Sequence, residues 1–139
     1  MNNQKQADST VNNVSQVQKV YAAFLKCDFE TILATLSHDI EWGEPANPFN
    51  PAAGTRYGHD GFLEWVQIGR DSEEILTLEP RKFLTDRDSV AVIGFTKCLA
   101  KSTNRVYETD FVHLFTFKDD KIIKFQEFFD TYLAAEAFR

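Results

Sequence analysis

Three polar residues, Glu44, His113 and Glu127, each lie in a segment where apolar residues occupy alternate positions. Their neighbours at two-residue spacing are large and apolar: Ile40 and Trp42 for Glu44, Phe111 and Phe115 for His113, and Phe125 and Phe129 for Glu127. Because alternate side chains of a β-strand share one face, each polar group is predicted on the apolar face of its strand. If those faces converge, two carboxyl groups and an imidazole meet in one cavity walled by aromatic rings.

Such a cavity would adjust these groups for acid–base chemistry. Burial raises the pKa of a carboxyl group, and a second carboxyl group within a few ångströms raises one of the two further. Groups whose pKa lies near neutral pH can both take and give protons during a reaction. Glu44, His113 and Glu127 are therefore the candidate catalytic residues.

Each candidate also has a purely structural interpretation that the sequence leaves open. Glu44 precedes a proline, and its side chain could reach solvent where the strand ends. His113 could be a buried histidine that hydrogen-bonds to Tyr107 or Glu127. A bulge in the last strand would turn Glu127 towards solvent.

Other chemistries lack their usual motifs. The three histidines, His38, His59 and His113, fall on different predicted elements without the HxH or HExxH spacing of metal sites. No glycine-rich loop precedes a helix in the form that binds phosphates, and no GxSxG motif occurs. The charged run DSEE, residues 71–74, is predicted to be a solvated helix end. We expect no metal and no cofactor.

Charge and cysteine content limit the expected partners and compartment. A net charge of -6 with no basic cluster argues against nucleic acid or an anionic membrane as partner. No apolar run approaches the ~20 residues of a membrane-spanning helix. The two cysteines are isolated, which favours a reducing compartment, and Cys98 is predicted to lie in the core. We therefore expect a cytoplasmic protein.

Three helices and a long loop are predicted around the first strand. The spacing of apolar residues indicates an amphipathic helix over residues 14–26, with Asn13 as its N-cap. A shorter helix capped by Asp28 follows, and a third is predicted over residues 60–70. Three prolines and two glycines make residues 45–58 a long loop, of the kind that often covers a binding site.

The second half of the chain predicts an antiparallel meander. Four segments with strand composition, ILTLEPRKFL, SVAVIGFTKCLA, RVYETDFVHLFTF and KIIKFQEFF, are separated by short polar turns. Helices followed by such strands indicate an α+β fold in which helices cover one face of a bent sheet. Both faces of residues 111–117 are apolar, so a second copy of the chain is expected to cover the outer face. Residues 13–139 are predicted to form a single domain, and residues 1–12 a disordered or loosely docked tail.

This order of elements resembles the nuclear transport factor 2-like superfamily, and within it the SnoaL-like polyketide cyclases and ketosteroid isomerase-like proteins. The resemblance covers about residues 14–134 and rests on three phrases: VQKVYAAFLKCDFETILATLSHDIEW, GTRYGHDGFLEW and FVHLFTFKDDKIIKFQEFFDT. It implies a cystatin-like α+β domain, with a cone-shaped, strongly curved antiparallel sheet and three N-terminal helices that close a pocket. It also implies a homodimer formed through the outer face of the sheet.

The resemblance further implies roles for individual residues. The general-base aspartate of the isomerases, just before a proline on the first strand, matches Glu44, and their oxyanion-hole aspartate matches His113. Their oxyanion-hole tyrosine falls on Val20, with Tyr21 one residue away on a neighbouring helical face. In SnoaL-like cyclases a histidine is followed by an acidic catalyst on the last strand, and His113 and Glu127 match that pair. The Arg-x-Asp of the related limonene epoxide hydrolase does not occur here, so epoxide hydrolysis is not expected.

Two functions are predicted from this evidence. The first is a cofactor-independent isomerase, cyclase or dehydratase that abstracts a proton beside the carbonyl group of a small hydrophobic compound. Glu44 or Glu127 would be its base, and His113 would donate a hydrogen bond to the enolate oxygen. The alternative is a non-catalytic dimer that binds a small apolar ligand or a protein partner. The predicted pocket is covered by residues 45–57 and lined by seven aromatic residues: Tyr21, Trp42, Trp65, Phe111, Phe115, Phe125 and Phe129.

Overall fold

The computed structural model describes the chain from residue 2 to residue 139, with side chains described from Asn12 onward. The elements of this range are, in chain order, α1 (Asn2–Leu25), α2 (Phe29–Thr35), β1 (Leu36–Glu44), β2 (Gly54–Tyr57), α3 (Gly58–Ser72), β3 (Glu73–Asp86), β4 (Ser89–Ala100), β5 (Arg105–Lys118), β6 (Lys121–Phe129) and α4 (Thr131–Phe138). As predicted, three helices come first and four long strands follow.

The six strands of the described range form one sheet in the order β2-β1-β6-β5-β4-β3. Neighbouring strands are antiparallel except β1 and β6, which run parallel. The predicted meander is confirmed as β3 to β6. The sheet is strongly curved without closing on itself, and α1, α2 and α3 pack on its concave face. The predicted α+β class, with helices that close a pocket over a curved sheet, is confirmed.

Some helix and loop boundaries differ from the prediction. Helix α1 begins at Asn2, so Asn13 lies buried within the helix and is not its N-cap. The predicted loop contains the short strand β2, whose backbone pairs with the end of β1. Asp28 caps α2 as predicted, because its carboxylate accepts a hydrogen bond from the Thr31 amide at 3.3 Å. The disordered or loosely docked tail stays a prediction, since the side chains of residues 1–11 lie outside the described ones.

The core lies between the helices and the concave face of the sheet. Each of the first three helices contributes a fully buried side chain, Val17 from α1, Ile32 from α2 and Phe62 from α3. They pack in one cluster with sheet residues that include Phe115 and Ile122. Burial of an apolar side chain of this size stabilises a fold by about 1.5–3 kcal/mol, so this layer fixes the helices over the sheet.

Helix α4 forms a second, smaller cluster at one end of the sheet. It packs Ala134, Ala137 and Phe138 against Tyr107 at the start of β5 and Cys98 near the end of β4. The rings of Tyr107 and Phe138 lie 6.2 Å apart between centroids. This packing fixes the direction of the Tyr107 side chain.

The convex face of the sheet carries exposed apolar residues. Ile93, Val106 and Phe128 are 37%, 48% and 51% exposed. The strand register places Val112 opposite both Ile93 on β4 and Phe128 on β6. Both faces of β5 are therefore apolar, as the sequence predicts, and the dimer expected to cover the outer face stays a prediction.

The remaining global features concern membranes and thiols. Within the described residues, no helix combines the length and the apolar character that crossing a membrane requires. Cys27 is exposed, Cys98 is buried, and both are free thiols. The cytoplasmic location stays a prediction.

Candidate active site

A cavity of about 340 Å³ lies between the helices and the concave face of the sheet. This volume is within the range of small-molecule sites, which is about 300–1,000 Å³. All residues predicted to line the pocket or to act in it do line the cavity: Tyr21, Trp42, Glu44, Trp65, Phe111, His113, Phe115, Phe125, Glu127 and Phe129.

The strand register explains why these residues meet. His113 on β5 pairs with Glu127 on β6, and Phe125 on β6 pairs with Trp42 on β1. Because paired residues point to the same face, the three strands present their polar groups to the concave side together. The predicted convergence is therefore present, and the solvent-facing alternative for Glu127 is wrong.

A hydrogen-bonded chain joins Tyr21, His113 and Glu127. The Tyr21 hydroxyl lies 2.6 Å from Nδ1 of His113, and Nε2 of His113 lies 2.8 Å from Oε2 of Glu127. Burial raises the pKa of Tyr21 well above its usual range, so the phenol stays protonated and its hydroxyl donates a hydrogen bond to Nδ1. Nε2 therefore carries the ring hydrogen and donates to Glu127. Burial also lowers the pKa of His113, which keeps the imidazole neutral at neutral pH.

The structure decides two sequence-based expectations about this hydrogen-bonded chain. Tyr21 lines the cavity as predicted, and so does Val20, because adjacent helical positions can both face a wide concave surface. Of the two partners predicted for a buried His113, Glu127 is confirmed and Tyr107 is wrong, and the second partner is Tyr21. Since both ring nitrogens have protein partners, donation from His113 to an enolate oxygen is not available in this geometry.

Glu44 is held by hydrogen bonds from two elements. Trp65 on α3 donates from Nε1 to Oε1 at 2.9 Å, and Asn50 in the loop after β1 donates from Nδ2 to Oε2 at 2.6 Å. The carboxyl group therefore points into the cavity, and the alternative in which it escapes to solvent is wrong. Burial raises the pKa of Glu44 to about 8, repulsion from Glu127 adds to this rise, and the two hydrogen bonds oppose it.

Glu44 and Glu127 form an interacting pair. Burial raises the pKa of Glu127 to about 7, and its hydrogen bond with Glu44 acts in the opposite direction. Two carboxyl groups that interact at close range lose their protons as a unit rather than independently. Because both pKa values lie near neutral pH, the pair can supply a general acid and a general base at the same place.

A third carboxyl group in the cavity was missed by sequence reasoning. Glu73 lines the cavity and accepts a hydrogen bond from the Tyr107 hydroxyl at 2.9 Å on Oε2. Burial raises the pKa of Glu73 to about 7, and the charges of Glu44 and Glu127 contribute to the rise. The expectation of a solvated helix end over residues 71–74 is therefore wrong for Glu73, since β3 begins at this residue and turns its side chain inward.

Asn50 was also missed, because it lies in a proline-rich loop without periodicity. It is buried, and its Oδ1 accepts a hydrogen bond from the Ala52 amide at 3.0 Å. Arg56 on β2 donates to the Ala52 carbonyl at 2.7 Å, and Asn47 donates to the Thr131 carbonyl at 3.0 Å. These hydrogen bonds fix the loop beside the cavity, and the sequence predicts that this loop covers the pocket.

A metal centre has no support from the side chains of residues 12–139. No three of their His, Cys, Asp and Glu groups are arranged to hold an ion. The arrangement instead suits the transfer of protons between the carboxyl groups of the protein and a bound apolar, uncharged compound.

Comparison with known proteins links this fold and site to a family. The sequence profile of the SnoaL-like domain matches residues 17–125. No curated protein matches the chain.

Solved structures match over nearly the whole chain. An NTF2-like protein from Burkholderia xenovorans LB400 has 35% identity, a TM-score of 0.86, and a match covering 94% of this chain and 98% of its own. TerC, co-crystallised with polyporic acid, has 28% identity and a TM-score of 0.81, and the match covers 91% of this chain and 98% of TerC. A proposed polyketide cyclase from Xanthomonas campestris pv. campestris, at 16% identity, shares the fold with a TM-score of 0.77 and 94% and 99% coverage.

Proposed function

The chain belongs to the SnoaL-like family of the NTF2-like superfamily, and we propose that it is a cofactor-independent enzyme that transfers protons beside the carbonyl group of a small hydrophobic compound. The observation that carries the proposal is the Glu44–Glu127 pair inside an aromatic-walled cavity. The co-crystallisation of TerC with polyporic acid supports small-molecule binding by this fold. The names polyketide cyclase and isomerase among the fold neighbours agree with this class of chemistry.

Each polar group has a distinct task in this proposal. The ionised carboxyl group of the pair takes a proton from the carbon beside the carbonyl, and the protonated one donates to the carbonyl oxygen as negative charge develops there. The proton can then return to another carbon, which gives isomerisation, or the enolate can attack an electrophile, which gives ring closure. His113 positions Glu127 through Nε2, and Tyr21 fixes the tautomer of His113. Trp65 and Asn50 position Glu44.

Proton exchange tests this proposal without knowledge of the natural substrate. The probe is α-tetralone, an apolar cyclic ketone, in deuterium oxide, and NMR follows the replacement of its α-protons by deuterium. The unmodified protein should accelerate exchange, and Glu44→Gln or Glu127→Gln should each reduce the rate roughly a hundredfold. The matched control is Glu41→Gln, because Glu41 lies on the same strand but pairs with Lys124 at 3.1 Å outside the cavity. Full exchange activity in both cavity variants would refute the assignment.

We also propose that two copies associate through the convex face of the sheet. The support is that Ile93, Val112 and Phe128 lie side by side on three neighbouring strands, with Ile93 and Phe128 exposed. Light scattering after size-exclusion chromatography should give twice the mass of one chain, and Phe128→Lys should give the single mass. A monomer in the unmodified protein would contradict this proposal.

A further inference from the structure

The cavity has a second polar region that the proton-transfer scheme does not use. Glu73 on β3 and Tyr107 on β5 line the cavity together with Cys98 and Thr96 on β4. The strand register connects these residues, since Cys98 pairs with Tyr107 across β4 and β5. This second polar region belongs to the end of the sheet that α4 covers.

Glu73 in this region has a carboxyl oxygen without a hydrogen-bond partner among the described residues. Thr96 donates to the Thr77 carbonyl at 3.0 Å and lies 3.5 Å from the Cys98 sulfur. The Tyr107 hydroxyl donates to Oε2 of Glu73. Oε1 of Glu73 has no hydrogen-bond partner among the side chains from Asn12 onward, and the half-buried residue faces the cavity.

The position of Glu73 relative to the entrance indicates which part of a ligand it would meet. The exposed residues of the cavity lining, Leu25, Cys27, Arg70 and Ile75, lie at the ends of α1 and α3 and the start of β3. Glu73 belongs to this same segment, whereas Phe111 and His113 lie buried in the interior. A ligand whose carbonyl group reaches the Glu44–Glu127 pair can therefore place another of its groups at Glu73, which lines the same cavity.

We propose that Glu73 determines substrate specificity by accepting a hydrogen bond from a hydroxyl group at the end of the substrate remote from its carbonyl group. This inference rests on the proposed function, and it narrows the substrate class to ketones that carry a distal hydroxyl group. Tyr107 is the positioning residue, because its hydroxyl fixes the other oxygen of Glu73.

The test compares α-tetralone with a set of its derivatives that each carry one hydroxyl group on the aromatic ring. Titration calorimetry measures the affinity of each compound, and NMR measures α-proton exchange. At least one hydroxyl derivative should bind several-fold to about tenfold more tightly than α-tetralone, since a net hydrogen bond contributes up to about this factor. In the double variant Glu73→Leu with Tyr107→Phe, the preference should disappear while α-tetralone still binds. The double variant avoids leaving a buried tyrosine hydroxyl without its acceptor.

Glu74→Gln is the matched control, because Glu74 is the next residue of β3, is exposed, and does not line the cavity. This variant should keep the full hydroxyl preference. Equal affinities for all the compounds in the unmodified protein, or a preference that survives in the double variant, would overturn the inference. If the unmodified protein shows the hydroxyl preference but does not accelerate α-proton exchange, only the proton-transfer proposal fails. The failure of that proposal and the failure of the inference about Glu73 are therefore distinguishable.

Discussion

The hydrogen bond from Asn50 to Glu44 allows a quantitative prediction about the pKa of the carboxyl pair. Its length is 2.6 Å, and Asn50 is buried, so water does not replace the amide readily. A hydrogen bond to a charged group contributes about 1.5–3 kcal/mol, and one pKa unit corresponds to about 1.4 kcal/mol. Because Glu44 is partly exposed, the lower figure applies. Asn50→Leu should therefore raise the pKa of Glu44 by about one unit.

A second substitution at the same position sharpens this prediction. Asn50→Asp keeps an oxygen that can accept from the Ala52 amide, but it replaces the donor to Glu44 with a negative charge. The pKa of Glu44 should then rise further than in Asn50→Leu. Asn47→Leu is the control, since Asn47 anchors the same loop to the Thr131 carbonyl without touching Glu44.

Carbon-13 NMR of labelled glutamate carboxyl groups measures these pKa values directly. The expected order of the Glu44 pKa is unmodified protein and Asn47→Leu lowest, Asn50→Leu higher, and Asn50→Asp highest. An unchanged pKa in both Asn50 variants would refute the reasoning. An equal rise in Asn47→Leu would attribute the effect to loop displacement and refute it as well.

Other contacts give further tests. Tyr21→Phe removes the donor to Nδ1 of His113 in a buried site, so urea denaturation should show a loss of about 1–3 kcal/mol in unfolding free energy; an unchanged midpoint would contradict the hydrogen-bond chain. The pKa of Glu73 is raised from 4.5 to about 7 in the fold. Its contribution to stability is therefore fully present below pH 4.5 and is lost as pH rises from 4.5 to about 7. Tm should fall over that window, and Glu73→Gln should flatten the fall; an identical slope would be inconsistent with burial. A Cβ at Gly94 would overlap the Phe111 ring and the Glu79 carbonyl, so Gly94→Ala should destabilise the fold by about 1–3 kcal/mol and weaken α-tetralone binding, and normal values of both would argue against the close packing.

Strand periodicity predicted much of the site because it depends on local geometry alone. Glu44, His113 and Glu127 alternate with large apolar residues, and once their strands pair in register, the three groups must share a face. The aromatic walls follow from the same alternation. The parallel pairing of β1 with β6 brings Glu44 to the other two, and no local pattern predicts this long-range step, so the convergence could be stated only as a condition.

The missed residues are those whose positions depend on tertiary contacts. Glu73 belongs to a charged run, and only the exact start of β3 decides that its side chain turns inward beside Tyr107. Asn50 lies in an irregular loop, where no periodicity indicates the direction of a side chain. Tyr21 was predicted to line the pocket, but its hydrogen bond to His113 was not predicted, because helix periodicity does not show which group a long side chain reaches across a concave surface.

The central claim is that Glu44 and Glu127 act as one acid–base unit. The most direct test is the rate of α-proton exchange of α-tetralone with the unmodified protein, Glu44→Gln, Glu127→Gln and the double variant. Groups that act as a unit are non-additive, so each single variant should lose roughly a hundredfold and the double variant little more. Losses that multiply in the double variant, or single variants that keep full activity, would contradict the claim.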